Sequence, residues 1–261
     1  MSEDSISPAE AYVDFYENQK CRETCKGMLA STDKLIKGGW IKTNSEQKSE
    51  VVACIDLESC SYEGYLSKVK KLYKGNSIRE ARKSSELGYF CKEFPRMLYI
   101  PDIVDINSSM PIRSGMPISA HYLKSIQELG GYPTSNMTLA PPLCATHAQT
   151  HYGVFVPEPE HKQGEIKVDA RLVGYIIMNR YGNFCNYSII IGHGDHLKNY
   201  IMSLLHLYVM EDILSSGQPK HQGLKYLVYH KFITENPGLT FWKKKFGFIP
   251  ANLILDSNNL L

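Results

Sequence analysis

From about residue 170 to the C-terminus the sequence alternates strand-like and helix-like segments in a fixed order, and this order constrains the fold more than any other feature. Arg171-Leu-Val-Gly-Tyr-Ile-Ile-Met178 and Phe184 to Ile191 are rich in β-branched and aromatic residues, which suit a pleated, half-buried surface. The turn formers Asn179-Arg-Tyr-Gly-Asn183 lie between them, so the two are expected as an antiparallel hairpin. Gly192-His-Gly-Asp195 then opens a long helix to about Ser215, with Asp195 placed to cap its first N–H groups. Leu197, Ile201, Leu204, Leu205, Tyr208 and Val209 cover more than one face of that helix, which predicts burial between the sheet and a further layer. Leu224 to Phe232 reads as another strand. Asn236-Pro-Gly238 supplies a cap and an N1 proline for a short helix ending at Gly247, and Phe248 to Leu255 is the last strand.

The first half is less regular. Glu50 to Asp56 is a strand candidate, and helices are expected over Tyr62–Tyr73 and Ser77–Leu87, separated by Gly75-Asn76. Between Pro95 and Pro142 seven prolines divide the chain into short pieces, with helical patterns at Asp102–Ser108 and Ile118–Leu129. Met97, Ile103, Ile106, Met116 and Leu123 persist through this stretch, which favours loops around a site over a solvated linker. Tyr152 to Val156 is a further strand candidate. The expected class is α/β (α+β): a mixed, mostly antiparallel sheet flanked by helices. An α-rich N-terminal portion spans 1–142 and the strand-helix core spans 143–261.

At 261 residues, 43% of them hydrophobic, such a core needs no disulfide or structural metal, since a chain of this size buries roughly 70–75% of its unfolded surface. No metal is therefore expected. The net charge of +2 does not require nucleic acid as a partner. The longest apolar run, Tyr200 to Met210, contains Ser203 and His206 and is too short to span a bilayer, so no membrane partner is expected. The acidic opening MSEDSISPAEAYVDFYENQ lacks a leader's apolar stretch. Seven scattered cysteines do not form a disulfide pattern. Both point to the cytoplasm, where the sequons at Asn107, Asn136 and Asn186 carry no meaning.

The order of elements from Ala170 to Leu255, with Phe241-Trp-Lys-Lys-Lys-Phe-Gly-Phe248 closing the short helix, resembles the core of the GCN5-related N-acyltransferases (GNAT), including the FemAB-like aminoacyl transferases. The resemblance implies a splayed pair of strands and a following helix whose N-terminus faces the donor's pyrophosphate. It places donor-binding residues at Gly192, Gly194, Asp195, Lys198 and Asn199. Unsatisfied N–H groups and the helix dipole give that position its affinity for anions. The pattern departs from the family at two points. Where the donor loop has Arg or Gln and two glycines, this chain has His196, Asn199 and Ile201, and Lys243 stands where the last helix often carries a general-acid tyrosine.

Several residues are candidates for the chemistry. His193 and His196 sit at the end of a strand, where a neutral imidazole can take a proton from an attacking amine. The alternative is a pair of solvated loop histidines or backbone caps. Tyr229 and His230 point to opposite sides of their strand, so one faces the cleft. Tyr229 is then a proton donor to a leaving group or a core tyrosine. Arg113, on a proline-braced loop, is placed to grip an acceptor's carboxylate. Cys144-Ala-Thr-His147-Ala-Gln-Thr-His151 has zinc-like spacing but supplies three ligands, so His147 is read instead as an acceptor-site residue. Seven basic residues between Lys68 and Lys83, and Lys243-Lys-Lys245, are either a phosphate track or solvated helix faces.

The resemblance implies an acyltransferase that uses coenzyme A or acyl-CoA as co-substrate and a small-molecule amine as acceptor. Two other readings stay open. One is a FemAB-like transferase with aminoacyl-tRNA or a carrier protein as donor. The other is a non-catalytic binding protein that keeps the fold.

Overall fold

The computed structural model describes residues 7–15, 19–43, 49–58, 60–113 and 115–256. The first six residues, on which the reading of the N-terminus as no leader partly rests, lie outside these. The N-terminal portion forms β1 (Ala9–Val13), α1 (Gln19–Thr24), α2 (Lys26–Lys37), β2 (Ile41–Lys42), β3 (Val52–Asp56), α3 (Tyr62–Lys71), α4 (Asn76–Glu86), β4 (Phe90–Glu93) and α5 (Ile100–Ser108). A small hairpin, β5 (Ile112–Arg113) and β6 (Met116–Pro117), and the short α6 (Ile126–Leu129) follow. The helical pattern over 118–129 is thus realised only in its last turn. Ser125 starts that turn with a capping box, its hydroxyl accepting from the Glu128 amide while Glu128 reaches back to the Ser125 amide. The preceding residues loop over the sheet.

The rest comprises β7 (His147–Pro157), the hairpin β8 (Lys162–Gln163) and β9 (Ile166–Lys167), β10 (Ala170–Tyr181), β11 (Phe184–Gly192), α7 (Gly194–Leu197), α8 (Ile201–Ser215), β12 (Tyr226–Lys231), α9 (Pro237–Lys245) and β13 (Ile249–Leu255). One mixed sheet runs β1-β13-β3-β12-β11-β10-β7-β4, with β2 also pairing β13. The β10–β11 hairpin is antiparallel as expected, pairing Tyr181 with Phe184 and Gly174 with Gly192. The β11–β12, β1–β13 and β2–β13 pairs are parallel and the other five are antiparallel. β3 lies between β12 and β13, so both portions of the sequence build one sheet.

Side-chain alternation along the strands divides the core. Ile176 and Met178 of β10 pack on one face with Leu205, Val209 and Met210 of α8 and with Tyr65 and Val69 of α3. α8 is sandwiched between the sheet and α4, as its all-round apolar sequence requires. Tyr175 and Ile177 point the other way, toward Ile103 and Ile106 of α5. Beyond them on that face α1 and α2 cover Val52, Phe184 and Val228. Each large aliphatic side chain so buried contributes about 1.5–3 kcal/mol.

The expected long helix is broken. His193, not Asp195, caps α7: its Nδ1 accepts from the Asp195 amide at 3.3 Å. The chain turns at Tyr200, whose φ of 60° lies in the left-handed region, and α8 starts afresh at Ile201. The lysine run of α9 differs from a solvated face as well. Only Lys244 is exposed, while Lys243 and Lys245 are buried at 0% and 6% exposure. The seven basic residues between Lys68 and Lys83, on α3, on α4 and in the turn between them, are all exposed.

Candidate active site

The parallel pairing of β11 with β12 covers only Phe184, Cys185 and Asn186. Beyond Asn186 the two strands diverge, and the β11 edge facing β12 has no strand partner through Gly192. Two irregularities widen the gap. The β10–β11 register jumps so that Ser188 is an extra residue on β11, its hydroxyl donating to the Ile177 carbonyl at 3.0 Å. On β12 the pairing with β3 skips from Val228 to Lys231, with His230 at a φ of 47°. Such bulges bend a strand and sharpen its twist.

The divergence opens a cleft of about 370 Å³, lined by Ile190, Leu197, Tyr200, Met202, Tyr229 and Trp242, among others. Its size falls in the usual range for small-molecule sites. Tyr229 is the member of its pair that faces the cleft, packed edge-on to Tyr187 and Trp242, while His230 packs against Trp40. Burial raises the Tyr229 phenol well above its ordinary value, so it holds its proton and can donate it.

The start of α8 lies in this cleft, and no side chain caps it at Tyr200. Its third residue, Ser203, donates to Glu80 Oε2 at 2.7 Å, and Lys245 binds the same oxygen. A carboxylate of the protein therefore sits beside the helix end at which the resemblance places a pyrophosphate. Glu80 comes from α4, whose next turn brings Lys83 over the ring of Tyr200 at 5.5 Å. The basic face of α3 and α4 thus reaches the rim of the cleft.

The loop between β11 and α8 gathers most of the residues expected from the sequence. His193 is 8% exposed, with Nε2 3.4 Å from Asp105, a carboxylate that also binds Arg171 at 2.5 Å. His196 shares a hydrogen bond of 2.7 Å between its Nδ1 and the Tyr89 hydroxyl, and Asn199 donates to the same hydroxyl at 2.8 Å. Burial, with the neighbouring His193 and Arg171, lowers the affinity of His196 for a proton, so it is neutral near pH 7 and able to accept one. Asp195 is exposed on α7 and Lys198 is exposed just after it. Gly192 and Gly194 admit close neighbours: a Cβ on Gly192 would lie 2.9 Å from Leu197 and Met202, and one on Gly194 would lie 2.5 Å from Met110. Arg113 is committed to this loop's frame, donating to the carbonyls of Gly192 at 2.9 Å and Ile106 at 2.7 Å.

His147 is not among them. It pairs with Tyr181 at the opposite end of β10 from Gly174 and Gly192, roughly 20 Å away at the usual rise of a strand. There it meets Cys21 and Cys144. Burial raises the Cys144 thiol, but hydrogen bonds from Thr146, His147 and Cys21 outweigh it and bring the thiol down to about 6. Tyr89, Asp105, Arg171, Glu80 and Trp242 were not singled out by the sequence; only Trp242, inside the Phe-Trp-Lys-Lys-Lys-Phe-Gly-Phe segment, carried a signal. The others come from elements distant in sequence that meet only in the fold.

No family model and no curated protein matches the sequence. Among solved structures, FemX superposes over 95% of this chain and 80% of its own, with a TM-score of 0.52 at 9% identity. Weaker matches are L-PGS from Bacillus licheniformis (TM-score 0.43, 12% identity, 77% of this chain and 58% of that one) and a tandem GNAT protein from the clavulanic acid biosynthesis pathway (0.40, 11%, 94% and 58%). The sheet, its diverging strands and the likeness to FemX define the class: this chain has a GNAT-like fold, as the segment from Ala170 to Leu255 implies. At these identities the likeness is one of fold.

Proposed function

We propose that the protein is an acyl or aminoacyl transferase whose donor carbonyl lies in the cleft between β11 and β12 and whose acceptor is an amine. The observation that carries this reading is the divergence of β11 from β12 beyond Asn186, with the uncapped start of α8 in the same cleft. Fixed backbone donors on an unpaired strand edge stabilise the oxyanion of a tetrahedral intermediate. The amine forms the new C–N bond as the thioester or ester bond breaks. His196, neutral and oriented by its hydrogen bond with Tyr89, is the base that takes the amine's proton. Tyr229 protonates the departing thiolate or alkoxide. His193 is a positioning residue, held by Asp105 at the top of the same loop.

Acyl-CoA is one donor that suits this arrangement. The second is aminoacyl-tRNA; the Glu80 carboxylate beside the α8 terminus is paired with Lys245 and does not itself choose between the donors. The exposed basic face of α3 and α4 favours the second donor.

Thermal unfolding in the presence of coenzyme A, acetyl-CoA and a longer acyl-CoA tests the first donor. A ligand at about 100 times its Kd adds roughly 2.7 kcal/mol to stability. Binding of charged tRNA, expected to weaken steeply with salt, tests the second. Whichever donor binds, His196→Gln is expected to slow transfer about 10²–10⁴-fold with donor binding unchanged. If neither donor binds, a carrier-protein donor is the transferase reading left to test, and its failure too leaves the fold as a binding scaffold.

A further inference from the structure

Cys21, Cys25, Cys144 and His147 meet at the end of the sheet remote from the cleft, with one ligand atom of each lying within 4.8 Å of all the others. Three of the six separations lie close to those of a tetrahedral metal shell, two of them a little shorter. Cys21 Sγ is 3.7 Å from Cys144 Sγ, and His147 Nδ1 is 3.4 Å and 3.1 Å from those two sulfurs. Zinc–sulfur bonds of about 2.3 Å and zinc–nitrogen bonds of about 2.0–2.1 Å place tetrahedral neighbours about 3.5–3.8 Å apart. None of the seven cysteines is in a disulfide, so no such bond competes for the sulfurs.

Two separate pieces of local structure aim these donors. Cys21 and Cys25 are four residues apart where α1 runs into α2, joined by the hydrogen bond from the Cys25 amide to the Cys21 carbonyl. That spacing puts both sulfurs on one helical face. Cys144 and His147 bracket a tight turn closed by the Cys144 amide and the His147 carbonyl at 3.2 Å. The turn is held in place by the Gly182 amide, which donates to the Thr146 carbonyl at 2.9 Å. Cys21, Cys25 and His147 are buried and Cys144 is partly exposed, which leaves a path for an ion to enter. Sequence reasoning misses the set because Cys21 and Cys25 lie more than a hundred residues from Cys144. The local run offers only His151, which instead lines a separate groove of about 970 Å³.

We propose that Cys21, Cys25, Cys144 and His147 bind one zinc ion in a closed structural site. Three thiolates and an imidazole in tetrahedral array are a set that zinc favours. Four protein ligands leave no position for a substrate, so the ion cross-links rather than catalyses. It ties α1 and α2 to the start of β7. It thereby also fixes one wall of the larger groove, to which Gly27, Met28 and Leu143 contribute. This inference does not depend on the transferase reading.

The test is elemental analysis of the full-length protein purified without chelator. One zinc per chain is expected, released stoichiometrically when a mercurial reagent titrates the thiols. Replacing it with cobalt is expected to produce the strong thiolate-to-metal absorption of a tetrahedral site. Cys21→Ser and Cys144→Ser should lower zinc retention at least tenfold, while Cys60→Ser, at a half-buried residue just before α3 that is no part of the set, should leave it at one. A folded wild-type protein with less than a tenth of an equivalent of zinc, no cobalt absorption after reconstitution and seven freely titrating thiols overturns the proposal. A Cys21–Cys144 disulfide in that protein overturns it too. The wild-type measurements decide the matter even if the serine variants do not fold.

Discussion

His206 shows how much of this core depends on single polar side chains. It is fully buried in α8 among Trp242, Phe246 and Phe248. Its Nδ1 lies 3.0 Å from the Tyr187 hydroxyl and its Nε2 lies 2.8 Å from that of Tyr65. Tyr65 gives its proton to the Phe246 carbonyl at 3.0 Å, so Nε2–H donates to Tyr65 and Nδ1 accepts from Tyr187. The neutral ring is thus satisfied at both ends, and burial pushes its pKa down to about 3. Burial lowers His151 likewise, to about 4. In the unfolded chain both histidines take up a proton near pH 6.5, while in the folded chain they do not. Stability is therefore intact above that value and falls as the pH drops below it, by up to about 1.4 kcal/mol per pH unit for each histidine. Urea unfolding at pH 7.5 and 5.5 is expected to show this fall. His206→Ala should cost about 3 kcal/mol at pH 7.5, from the cavity and the orphaned Tyr187 hydroxyl, and should reduce the pH dependence. An unchanged pH dependence in the variant would remove His206 from this role. The sequence signals His206 only as a polar break in an apolar run, because its partner Tyr65 stands 141 residues away.

Among the elements, α9 is one that starts where its sequence predicts. The Asn236 side chain accepts from the Gly238 and Leu239 amides at 3.0 and 3.2 Å, and Pro237 occupies the first turn. Asn236→Ala is expected to cost about 1 kcal/mol, a drop of roughly 2–4 °C in Tm for a chain of this size. Because α9 carries Trp242 and Lys245 into the cleft, donor affinity should fall along with it. Calorimetry with and without donor checks both. Strong local signals of this kind made β10, β11, β12, α3, α4 and α9 legible in the sequence. The break between α7 and α8 was not, since nothing in Lys198-Asn-Tyr200 advertises a left-handed residue. At the break Met202 packs on the paired glycines Gly174 and Gly192, where an added Cβ would lie 3.1 and 2.9 Å from its sulfur. β1 and β4 were missed for another reason. β4 has no fully buried residue and β1 only two, so their alternation is faint.

For the molecule as a whole, the decisive feature is the place of β3 between β12 and β13. Ala53 and Ile55 join the core under α8, and Val52 and Cys54 join the core under α1 and α2. A fragment of residues 143–261, the portion that most resembles a self-sufficient core in sequence, therefore lacks a central strand. Expressed alone it is expected to give no cooperative unfolding transition, and co-expression with residues 1–142 should restore one. A fragment that unfolds cooperatively by itself would show that β3 is dispensable. The same placement governs the order of events during synthesis. Asp56 pairs with Tyr226, 170 residues later, a stretch that takes a ribosome roughly 10–30 s to make. For that interval the N-terminal strand has neither of its neighbours. The sheet closes around β3 only once β12 and β13 have both been made.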